Sequence, residues 1–224
     1  MALIIQRSVT FPPIGLKKID EYVTYVARRA AMLAELRERG LEIGRGRGDI
    51  TRFLERVGAV QYDGACVRLT SVGALLVSLK ESLGLPAYHA LLYQRVPQYR
   101  VVVDVAAERL EVGAEDLYAA ANERISKLSS SAWLNRVAFR ALVRLAEDAG
   151  AISRQRSLIR FQGDPVVRAV LDYCERRCLK IGREFYAGVG EVLVSECSRI
   201  EPPHDMYRVD VSCVVRSVYG AFAP

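Results

Sequence analysis

The stretch "SSSAWLNRVAFRALVRLAEDAGAISRQRSLIRFQG", residues 129–163, decides how the chain is read. Its first part has apolar residues at Leu134, Val137, Ala138, Ala141, Leu142 and Leu145. That spacing predicts one amphipathic helix over 131–149, capped by Ser130 or Ser131 and stopped by Gly150. Then "AISRQRSLIRFQG" reads as strand, tight turn and strand, with Arg154, Gln155 and Arg156 at the tip. Upstream, "VGAEDLYAAANERIS" reads as a helix whose Glu115 and Asp116 suit the positive end of its dipole. "RVPQYRVVVDVAAERLEV" precedes it as a helix or a strand-to-helix run.

The same order is legible nearer the N-terminus. Leu16, Ile19, Val23, Val26, Ala30, Leu33 and Leu36 fall at helical spacing and predict one long helix ending near Gly40. After "GRGRG" at 44–48, "DITRFLERVG" predicts a short helix with Asp49 as its N-cap and Ile50, Phe53, Leu54 and Val57 inward. "AVQYDGACVRLT" then predicts a hairpin turning at Asp63-Gly64. Another helix follows, capped by Thr70 or Ser71. The tail predicts a helix from Pro165 and an antiparallel pair, "GVGEVLVSECSRIE" with "MYRVDVSCVVRSVYG". The second of these alternates as a half-buried strand should.

A helix running into a hairpin, followed at 69–76 by "LTSVGALL", resembles the winged-helix (winged helix-turn-helix) superfamily, here in tandem. The resemblance covers about residues 16–163 and is fuller in the second copy. The first lacks an ordinary second helix. The expected fold is mainly α with small β-hairpins (α+β): two tandem winged-helix-like domains plus a C-terminal antiparallel hairpin. The expected boundaries are 1–85, 86–163 and 164–224.

The resemblance implies double-stranded DNA as partner and a helix entering the major groove. The basic residues lie where that would require. The net charge is +6, and 27 of the 32 basic residues are arginine, a bias that GC-rich coding also produces. Residues 129–160 hold six arginines against Glu147 and Asp148, whereas 69–128 and 164–224 are each slightly acidic. The candidate DNA-binding residues are Asn135, Arg136, Arg140 and Arg144 on the helix and Arg154, Gln155 and Arg156 on the wing. Arg and Asn are the side chains that read guanine and adenine edges. From the first copy come Arg45, Arg47 and Arg52, where glycines and a helix N-terminus would admit a phosphate. The bland alternative is that all these arginines form a solvated face.

Enzymatic chemistry finds no support. His89, in "LPAYHALLYQ", reads as a packed residue, and His204 as solvated. No Walker or Rossmann fingerprint is present, so no catalytic residue and no cofactor are expected. Cys174, Cys178, Cys197 and Cys213 admit three readings: buried thiols by default, a Cys197–Cys213 disulfide, or a four-thiolate zinc site without the usual knuckles. No metal is expected. Two asparagines in 224 residues hint at a thermophile. No apolar run is long enough for a membrane span and the N-terminus lacks signal-peptide features, so a cytoplasmic address is expected.

The leading expectation is a non-enzymatic transcriptional regulator, as a homodimer. The rival is a winged-helix scaffold that binds protein within a replication, chromosome-maintenance or defence complex. An exposed apolar patch around Phe139 and Val143 would favour the rival.

Overall fold

A computed structural model describes residues 11–44, 48–188, 193, 195–201 and 206–224. Helices dominate it, with three small antiparallel sheets. One order of elements occurs twice. First come α1 (Leu16–Arg28), β1 (Ala31–Met32), α2 (Leu33–Glu38), α3 (Asp49–Arg56), β2 (Val60–Tyr62) and β3 (Cys66–Leu69), with the strands ordered β1-β3-β2. After α4 (Ser71–Leu83) and α5 (Pro86–Arg95) come α6 (Pro97–Arg109), β4 (Glu111–Gly113), α7 (Ala114–Leu128), α8 (Arg136–Asp148), β5 (Ile152–Gln155) and β6 (Leu158–Phe161), ordered β4-β6-β5.

The predicted long helix is therefore broken. Ala31 and Met32 leave it to pair with Val67 and Cys66 of β3. Ala31 is fully buried by that pairing, while Ala30, assigned to the helical stripe, is exposed. A six-residue second helix, α2, follows, so the first copy does contain the element that the sequence seemed to lack. Likewise β4 adds a third strand to the second hairpin, Val112 opposite Ile159.

Both expected hairpins form. In the first, Gly64 takes a φ of +100° and the Asp63 carboxylate accepts the amides of Ala65 and Cys66 at 3.0 and 2.7 Å. In the second, Gln155 pairs with Leu158 across a two-residue turn whose Arg156 sits at φ +56°. A left-handed conformation at a non-glycine residue costs roughly 1–2 kcal/mol. Thr70 caps α4, its hydroxyl accepting from Gly73 N.

The tail departs further. α9 (Pro165–Arg177) is capped by Asp164 and leads into β7 (Leu179–Ile181) and β8 (Glu184–Ala187). A 3-10 turn at Ser195–Cys197 precedes β9 (Ser198–Glu201) and β10 (Met206–Val209). The order β7-β8-β10-β9 makes a four-stranded sheet in place of the expected lone hairpin. The chain then ends in α10 (Val211–Gly220), where the alternation had predicted more strand. Asp210 decides this: its carboxylate accepts Cys213 N at 2.9 Å and starts a helix whose Val214 and Val218 turn inward. Cys213 is disulfide-bonded to Cys197, with Cα atoms 5.4 Å apart, so the reading of buried free thiols fails for this pair. That bond also removes two ligands from the four-thiolate alternative. Cys66, Cys174 and Cys178 form no disulfide among the described residues.

One buried apolar cluster runs through both repeats and the tail. At its centre is α5, which buries six consecutive residues, Ala87 to Leu92, and packs against α4, α6, α9 and α10. A helix apolar on every side can only be satisfied in the middle of a core. Each buried leucine there contributes about 1.5–3 kcal/mol relative to exposure. Among the described residues no helix is long and apolar enough to cross a membrane.

Candidate nucleic-acid interface

The helix α8 begins at Arg136, five residues later than predicted. Asn122 explains the delay. Its side-chain oxygen accepts Leu134 N at 2.7 Å and its amide donates to Leu134 O at 3.1 Å, which holds the preceding segment out of the helix. Asn135, in place of Ser130 or Ser131, is the N-cap, accepting from Ala138 N at 2.8 Å. Its acceptor oxygen is thus engaged with its own helix. At the other end Gly150 takes φ +80°, and the amides of Gly150 and Ala151 return to Glu147 O and Ala146 O.

Phe139 and Val143 are buried, whereas Val137, assigned to the core stripe, is 66% exposed. The outer face of α8 therefore carries Arg136, Val137, Arg140 and Arg144, with Trp133 exposed just before it. These arginines are not equivalent. One guanidinium nitrogen of Arg136, Nη1, donates to both carboxylate oxygens of Glu115, at 2.5 and 2.6 Å, and the guanidinium lies 5.0 Å over the Tyr118 ring. The hydrogen bond and charge of Glu115 raise its pKa above the ordinary arginine value. Arg140 is exposed and has no ion-pair partner among the described residues. Arg144 stands against Gly15, where a Cβ would come within 3.2 Å of its Nε. There the neighbouring Asp148 accepts Leu16 N at 2.7 Å and ties the start of α1 to the end of α8.

On the hairpin, Arg154, Gln155 and Arg156 are all exposed. Arg154 lies 3.8 Å from Glu147, a loose surface pair worth about 0–1 kcal/mol. Arg156 projects from the turn without an ion pair among the described residues. At its base Arg160 pairs with Glu111 across β4 and β6.

The corresponding region of the first repeat is organised differently. Arg52 is exposed on α3. Arg45, Arg47 and His204 lie outside the described residues. The N-cap of α3 is Gly48, not Asp49. The N-terminus of α3 is filled by Glu42, which is buried and accepts Ile50 N at 3.0 Å, Thr51 N at 2.8 Å and the Thr51 hydroxyl at 2.6 Å. Tyr22 closes this network at 2.6 Å from Thr51 Oγ1, and burial drives its phenol pKa upward. The expectation of a phosphate on these amides therefore fails, because the chain's own carboxylate occupies them. The glycines serve the same contacts: a Cβ on Gly48 would meet the Glu42 side chain at 2.2 Å, and one on Gly44 would meet Asp49 at 2.6 Å.

His89 is packed as expected. It is buried, 2.8 Å from the Tyr99 hydroxyl, and burial pushes its pKa down to about 4. Among the described residues no group of three or more His, Cys, Asp or Glu is arranged to hold a metal. No protein-family model matches this chain, and neither a curated protein nor a solved structure matches it.

Sequence reasoning placed Arg140 and the hairpin arginines on the surface. It missed Glu42, Asn122 and the Trp133–Val137 exposure. No local signal marked Glu42, because Asp49 offered a nearer cap for the same helix and only the structure places Gly48 there instead.

Proposed function

We propose that the chain binds double-stranded DNA without catalysing a reaction on it, as a tandem winged-helix transcriptional regulator working as a homodimer. The observation carrying this reading is the placement of Arg140 and Arg156. They are exposed, without an ion pair among the described residues, on a helix and on the hairpin that follows it, within a helix, strand, helix, helix, strand, strand order that occurs twice. In this reading α8 enters the major groove and Arg140 reaches base edges or phosphates there. Arg154 and Arg156 hold backbone phosphates from the hairpin. Arg136 joins them only by exchanging Glu115 for the DNA. Arg144, turned toward Gly15, contributes general positive potential.

The test is fluorescence anisotropy of the protein with a generic duplex of about 30 base pairs, repeated over a range of salt. Binding with a steep negative slope of log K against log salt is expected, because each neutralised phosphate contributes about −0.9 to that slope. Absence of binding at low salt sinks the reading.

A second reading, a protein-binding scaffold, draws on one specific feature. Trp133, just before α8, and Val137, in its first turn, are 63% and 66% exposed. Buried Trp is a common anchor of protein interfaces. If DNA does not bind and Trp133→Ala abolishes capture of a partner, this reading replaces the first.

A further inference from the structure

A cleft of about 580 Å³ opens between α5, α6, β6, the start of α9 and α10. Its size is that of a small-molecule site, which spans roughly 300–1,000 Å³. Val103, Ala107, Phe161 and Val215 supply an apolar lining, and the Tyr93 and Tyr219 rings meet edge to face with centroids 5.7 Å apart. Two carboxylates face it from different elements. Asp104 accepts the Tyr93 hydroxyl at 2.6 Å, and Asp164 accepts the Tyr219 hydroxyl at 3.0 Å.

The hydrogen-bonding pattern restricts what can fill this space. Both phenols spend their donor on a carboxylate. In each case the bonds fall on Oδ1, including those from Val166 N and Val167 N to Asp164. Each Oδ2 is left without a hydrogen-bond partner among the described residues. Burial pushes the Tyr93 phenol up to about 12 and that of Tyr219 upward as well, so both stay protonated donors. His89, at the same wall, is neutral above about pH 4 and adds no positive charge. Arg216 also lines the cleft, but it is exposed, whereas Asp104 and Asp164 are half-buried. Arg100 stands at this wall, 5.1 Å over the Tyr93 ring, with its donors on Tyr93 O and Gln94 Oε1. Arg124, near Asp104, donates to Glu108, and Arg168, near His89, donates to Gln162 O and Gly150 O. The cleft therefore offers two carboxylate oxygens, Oδ2 of Asp104 and of Asp164, open to solvent beside apolar surface.

We infer that this cleft binds a small amphipathic amine, its apolar body on the Phe161 and Tyr219 side and its ammonium group donating to Asp104 and Asp164. A charged donor to a carboxylate forms the stronger class of hydrogen bond. The site lies away from α8 and its hairpin arginines and does not depend on the DNA reading.

Three probes of one shape separate the possibilities: tryptamine, its uncharged alcohol counterpart tryptophol, and the anion indole-3-acetate. Each is titrated into the full chain at pH 7 by calorimetry, with amide NMR shifts locating the site. Tryptamine is expected to bind about tenfold more tightly than tryptophol, the factor one charge-assisted hydrogen bond confers. Its shifts should centre on Tyr93, Asp104, Phe161 and Tyr219. Asp104→Asn, which retains an acceptor for Tyr93 and leaves Asp164 charged, should narrow the preference for the amine with the melting temperature unchanged. Equal binding of amine and alcohol overturns the inference. So does preference for the acid, shifts elsewhere, or no binding at millimolar concentration.

Discussion

The two repeats share an order of elements and differ in what they do with helix ends and charge. In the first, α3 is eight residues long and its N-terminus is plugged by buried Glu42, locked through Thr51 to Tyr22. Its hairpin tip is an acidic Asp63-Gly64 turn. In the second, α8 is thirteen residues long, its cap is exposed Asn135, and its hairpin tip carries Arg154 and Arg156. One repeat spends its polar groups inward on its own backbone. The other leaves them on the surface. One order of elements can therefore carry an inward-facing polar network in one copy and an exposed basic surface in the other, because side-chain chemistry rather than element order decides what a surface contacts.

The largest effect should come from breaking the inward-facing network. Glu42→Ala strands the amides of Ile50 and Thr51 and the Thr51 hydroxyl in the core, at about 1–3 kcal/mol for each unsatisfied group. A loss of about 3 kcal/mol or more in urea unfolding is expected, with Glu42→Gln milder. A loss below 1 kcal/mol would mean that the two caps are energetically alike.

His89, on the helix between the repeats, provides a pH-dependent counterpart. Its folded pKa is depressed from 6.5 to about 4, so the unfolded chain takes up the proton first. Its contribution to stability is complete above pH 6.5 and is lost as pH falls from there toward 4. Unfolding measured across that window should show this decline, and His89→Gln should flatten it.

The outward-facing repeat is tested by affinity. Arg140→Ala with Arg156→Ala should reduce the salt slope of duplex binding by about 2 and weaken binding at least tenfold. Arg52→Ala should change either quantity far less. Equal losses would erase the proposed division of labour. Smaller still is the cap itself: Asn135→Ala should cost about 1 kcal/mol of stability. The smallest effect expected is a gain. Glu115→Ala releases Arg136, and duplex affinity should rise a few-fold at low salt with little change in melting temperature.

Local periodicity and turn chemistry were enough to place most helices, both early hairpins and the basic segments along the chain. Those signals reside within a few residues of one another: the 3.6-residue stripe of α8, the Asp63-Gly64 turn, and the acidic first turn of α7. The break between α1 and α2 was not legible, because the helical spacing continues from Val26 through Ala30 to Leu33, and Ala31 and Met32 between them become a strand only when β3 offers its edge. The start of α8 depended on Asn122, twelve residues from Leu134. The plug at α3 depended on a carboxylate eight residues before Ile50. In the tail, valines in "VDVSCVV" satisfy a strand and a helix alike; the Asp210 cap and the bond to Cys197 select the helix. By itself the sequence determined where apolar stripes, turns and charge fall along the chain. Which strand edge, helix end or carboxylate each segment meets was decided only in the tertiary structure, because those contacts join residues whose separation leaves no periodic trace.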